Sequence, residues 1–77
     1  MPLNKASGKV KVVAINGGRN LHYKLSELGI LVGSEFEILS NIGGPLLLDL
    51  NGCRYGLGRG MAEQIDVEEI WNNERKK

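Results

Sequence analysis

Residues 20–33 read NLHYKLSELGILVG, and the fold turns on this stretch. Asn20 is suited to cap a helix, because its side-chain oxygen can accept from the unpaired backbone N–H groups of a first turn. Leu21, Leu25 and Leu28 follow at i, i+4 and i+7, which places all three on one helical face. The spacing predicts one short helix over about Leu21–Leu28. Gly29 stands where the chain must pass into the left-handed region to end it. Counting back from Gly29 makes Leu25 and Ile30 the apolar pair that meets across a Schellman stop. A helix of two to three turns does not stand alone in water, so its leucine face must rest on the rest of the chain.

Upstream, Lys9–Asn16 (KVKVVAIN) reads as a strand rich in β-branched residues. Val10 and Val12 alternate with lysines, and the phase then slips so that Val13 and Ile15 share a face. That slip predicts a bulge or a strand covered on both sides. Asn16-Gly17-Gly18 is a turn, and it lacks the G-x-x-x-x-G-K-[ST] pattern of a phosphate loop. Leu3 is the one apolar anchor of an otherwise polar N-terminal arm.

Downstream, Ser34–Ser40 alternates Phe36 and Ile38 with Glu35 and Glu37, as a half-buried strand does. Asn41–Pro45 is loop-like, and Leu46–Leu50 is a third strand with Leu46, Leu48 and Leu50 inward. Asn51-Gly52 is the strongest hairpin turn in the chain. Cys53–Leu57 is the fourth strand. Met61-Ala62-Glu63 reads as a single helical turn, and Gln64–Glu68 as a fifth strand, with Ile70 and Trp71 packing at its end. Residues 72–77 form a polar tail expected to fray. The expected fold is mostly β: a small SH3-like antiparallel barrel of about five strands, with one short helix between strands one and two. Its 77 residues make one domain with a core over about 8–71.

Composition narrows the function. The single Cys53 excludes an intrachain disulfide and suits a reducing, cytoplasmic setting. No apolar run reaches the roughly 18–20 residues that span a bilayer, and no signal peptide is visible, so a link to a membrane must run through a partner. The net charge is +1, but bases crowd residues 1–24 and acids crowd residues 60–74. Either this is a basic face for phosphates or an acidic partner, or the first and last strands pair and their charges complement. His22 is the only histidine and Cys53 the only thiol, and neither has metal-ligand spacing. Glu35 and Glu37 share a strand face with no third ligand nearby. The chain therefore reads as a non-enzyme with no cofactor and no metal site. What remains is a binding surface, with Leu31, Leu47 and Met61 as exposed apolar candidates and Arg54 and Arg59 as charged ones.

Three segments, read together, resemble the FeoA family of ferrous-iron transport proteins, over about Gly8–Val67. Leu25-x-x-Leu28-Gly29-Ile30-Leu31-x-Gly33 resembles the family's L-x-x-L-G-[LI]-x-P-G. Gly43-Gly44-Pro45 resembles its G-G-P. Leu57-Gly58-Arg59, Ala62 and Ile65-x-Val67 resemble its A-L-G-R…A…I-x-V ending. Val32 stands in place of the usual proline, and Gly56 in place of alanine. The resemblance implies an SH3-like barrel that helps bacterial ferrous-iron uptake in the cytoplasm by acting on FeoB, a membrane transporter with a cytoplasmic GTPase domain. It also implies partner contact through Leu25, Leu28, Ile30 and Leu31. Two alternatives remain: a nucleic-acid-binding barrel, suggested by the basic residues 1–24, and a metal-sensing module through His22 or Glu35 and Glu37, as the related barrel of iron-dependent repressors suggests. Direct insertion into the membrane is not expected.

Overall fold

In the computed structural model, which describes residues 1–70, five strands form one antiparallel sheet. In chain order the elements are β1 (Gly8–Ile15), α1 (Arg19–Glu27), β2 (Glu35–Ser40), β3 (Leu46–Leu50), β4 (Cys53–Leu57), α2 (Arg59–Ala62) and β5 (Ile65–Glu69). A 3-10 turn at Leu3–Lys5 precedes them. The spatial order is β4-β3-β2-β1-β5, so the ladder is barrel-like but stays open between β4 and β5. Trp71 and the polar tail, expected to pack and to fray respectively, lie outside the described residues.

Each strand follows from its alternation. Phe36 and Ile38 of β2, Leu46 and Leu48 of β3 and Val10 and Val12 of β1 are buried, while Glu35 and Glu37 face solvent. Leu3 is fully buried, so the N-terminal arm is anchored as its lone leucine suggests. No polar or charged residue is buried among those described, as a small apolar core requires. Asn51-Gly52 closes the β3–β4 hairpin with both residues at positive φ, and Asp49 Oδ1 accepts from Gly52 N–H at 2.8 Å.

β1 is the hinge of the architecture. It pairs with β2 over Gly8–Lys11 and with β5 over Val10–Ile15. The pairing with β5 shifts between Val12 and Ala14, which is the bulge the valine phase slip predicts. Val13 is the extra residue and is 45% exposed. Lys11 lies opposite Glu35 on one side and Glu68 on the other, and Lys9 opposite Glu37. Lys9 and Lys11 are thus set against acids, and of these pairs only Lys11–Glu68 joins the first strand to the last, as the second of the two readings has it.

The helix begins differently from expectation. Gly18, not Asn20, is the N-cap, and no side chain caps the first turn. Asn16 is held at the start of β5, its N–H donating to Gln64 O just before the strand at 2.7 Å and its Nδ2 to Asp66 Oδ2 at 2.9 Å. The helix thus starts two residues earlier than expected and leaves Asn20 inside it. The stop is as expected. Gly29 sits at φ 83°, Gly29 N–H donates to Ser26 O at 3.0 Å, and Ile30 N–H donates to Leu25 O at 2.9 Å. Leu25 and Ile30 are both fully buried, with Leu21 and Leu28 partly buried against the same core.

Candidate docking surface

Immediately past the helix stop, the chain turns two apolar side chains outward and holds them there. Leu31 is 53% exposed and Val32 61% exposed. Ser34 N–H donates to Leu31 O at 2.9 Å, and Gly33 lies at φ 96°, the pattern of a type II turn over residues 31–34. Ser34 Oγ accepts from Leu31 N–H at 2.9 Å and donates to Gly29 O at 3.1 Å. Gly33 N–H donates to Val12 O and Val12 N–H to Ser34 O, each at 2.8 Å, which ties the far side of the turn to β1. Buried Ile30 anchors the near side. The exposed pair is therefore fixed in position before any partner arrives, which lowers the ordering cost of binding.

Leu31 and Val32 form one wall of a groove of about 430 Å³, with Ile15 of β1 and Arg19, His22, Tyr23 and Ser26 of α1. The helical residues fall at i, i+3, i+4 and i+7, a face turned away from the leucine stripe. Tyr23 is 67% exposed. The lining is largely apolar and includes the basic Arg19, and among the described residues no three His, Cys, Asp or Glu side chains come together as metal ligands.

A helix stop, a pinned turn and a five-stranded sheet in this order agree with a family comparison. The model of the FeoA domain matches residues 1–69. This chain belongs to the FeoA family. The family is associated with ferrous-iron transport. The chain is 32% identical over 65 residues to the "Putative Fe(2+) transport protein A" of Methanocaldococcus jannaschii, covering 84% of this chain and 79% of that protein. It superimposes with a TM-score of 0.83 and 30% identity on the crystal structure of an iron uptake regulatory protein, also an FeoA, covering 91% of this chain and 96% of the other. It has a TM-score of 0.72 and 24% identity to the FeoA of Stenotrophomonas maltophilia, over 88% and 89% of the two chains. That protein is described as a prokaryotic SH3-domain protein and was crystallised with zinc. The SH3-like description of the fold holds for this FeoA chain.

The residues singled out in the sequence separate into distinct places. Leu31 stands in the groove wall. Leu25 and Ile30 have no exposed surface and belong to the core. Leu28 is half-buried beneath it. Leu47 and Met61 are half-buried too, Met61 packing against the core, so neither is the exposed contact expected of it. Arg54 is exposed on β4 and takes no part in the groove. Arg59 Nη2 donates to Asn41 Oδ1 at 2.7 Å, and Asn41 Nδ2 donates to Asn4 O at 3.0 Å. Arg59 thereby ties α2 to the N-terminal arm. Cys53 is exposed and is not among the groove residues, whereas His22 is. Sequence reasoning passed over Ile15, Arg19, Tyr23 and Val32. The i, i+3, i+4, i+7 spacing of the outer helix face was the available signal.

Proposed function

We propose that this chain is a non-enzymatic accessory protein of ferrous-iron uptake, docking in the cytoplasm on an FeoB-type transporter through the groove beside its helix stop. The observation that carries the proposal is the pinned, outward-facing pair Leu31 and Val32. Burying a fully exposed aliphatic side chain is worth about 1.5–3 kcal/mol, and Leu31 and Val32 keep 53% and 61% of their surface open, so together they supply a useful anchor. Family membership supplies the transport context. Among the described residues no helix is long and apolar enough to cross a membrane, which fits a protein that meets the transporter from outside the bilayer. The placement of Lys9 and Lys11 opposite acids weighs against a nucleic-acid surface on β1.

The test is a pull-down of the full-length transporter from the same genome, in detergent, with wild type and Leu31→Glu. Wild type should be retained and the variant should bind at least about tenfold more weakly while its circular dichroism is unchanged. No retention of wild type at tens of micromolar, with or without nucleotide, would reject the proposal.

A further inference from the structure

The charge around the groove narrows what can occupy it. Its lining includes Arg19 and His22 and no acid, and Glu27, the only acid of α1, lies outside the lining. Arg19 is the first residue of α1, and that first turn carries neither an acidic residue nor a side-chain cap. Helix N-termini favour negative charge, so a guanidinium there is placed against the local field of the helix. A carboxylate arriving at this end of the helix would pair with Arg19 and complement the uncapped turn at once. Ile15, Leu31 and Val32 add aliphatic side chains to the same lining.

Building on the docking reading above, we propose that the occupant is a segment of the transporter pairing an aliphatic side chain with a nearby carboxylate. The aliphatic group packs on Leu31 and Val32, and the carboxylate meets Arg19. The apolar packing gives the contact its strength, and the charge pair fixes its direction and hastens association.

Two measurements on the complex with the full-length transporter test this. First, Arg19→Glu should weaken binding about tenfold at 50 mM salt, the scale of one close charge pair, and wild-type binding should fall by about threefold on moving to 300 mM. Second, Arg19→Lys puts a primary amine at position 19, and a zero-length carbodiimide should join it to a transporter carboxylate in a cross-link located by mass spectrometry. Arg19 is exposed, so neither variant should disturb the fold, and their thermal melts check this. If Leu31→Glu abolishes binding while Arg19→Glu and salt leave it unchanged, and cross-links form only at other lysines, docking stands and the acidic occupant is wrong. If wild type itself fails to bind, the docking reading falls and this inference falls with it.

Discussion

At the scale of single residues, three positions set the turn that displays Leu31 and Val32. Gly29 at φ 83° lets the helix stop, and Gly29→Ala should cost about 1–2 kcal/mol, because a Cβ there opposes the left-handed conformation. Ser34 binds the turn from inside through two hydrogen bonds. Ser34→Ala should leave Leu31 N–H without its side-chain partner and reduce stability by about 1 kcal/mol in urea denaturation. Val32 offers a gain instead. It precedes a glycine at positive φ in the turn position that favours proline, and its N–H makes no backbone hydrogen bond outside regular elements. Val32→Pro should raise stability by about 0.4–1 kcal/mol by restricting the unfolded chain, read as a higher midpoint in a thermal melt. A lower midpoint would show that the turn differs from the one described.

At the scale of elements, the helix and its neighbours separate what holds the fold from what faces outward. Leu25→Ala should cost about 2–5 kcal/mol, since Leu25 is fully buried in the core under α1. Leu31→Ala should change stability by no more than about 0.5 kcal/mol in the same assay, because its side chain stands outside that core. Lys11 joins three strands, and Lys11→Glu should lose about 1 kcal/mol at low salt by setting like charges opposite Glu35 and Glu68, with a smaller loss at high salt. These elements also show what a sequence can reveal. The helix stop, the β3–β4 hairpin and the bulge at Val13 were legible because each is local: a glycine at a fixed offset, an Asn-Gly pair, a slip in valine phase. The helix start was not, because the Asn16 side chain answers to Asp66 on the last strand, fifty residues away. Arg59 looked free in sequence for the same reason, its partner Asn41 being reached only through the fold.

At the scale of the whole molecule, the open five-stranded sheet brings the end of β1, the outer face of α1 and the turn before β2 to one place. No one of these segments announces a site, and the groove exists only where they meet. Exposed apolar residues also occur elsewhere, with Ile42 94% exposed in the β2–β3 loop and Leu39 at the end of β2, so exposure alone does not choose the docking face. The groove is distinguished by the hydrogen-bonded turn that carries Leu31 and Val32 and by Arg19 in its lining. The most direct measurement is nuclear magnetic resonance of the labelled chain titrated with the full-length transporter in detergent. Signals of Ile15, Arg19, Tyr23, Leu31 and Val32 should broaden or shift first, while those of Ile42 and of β4 stay in place. Changes confined to the β2–β3 loop or to β4, with the groove signals unmoved, would contradict the account.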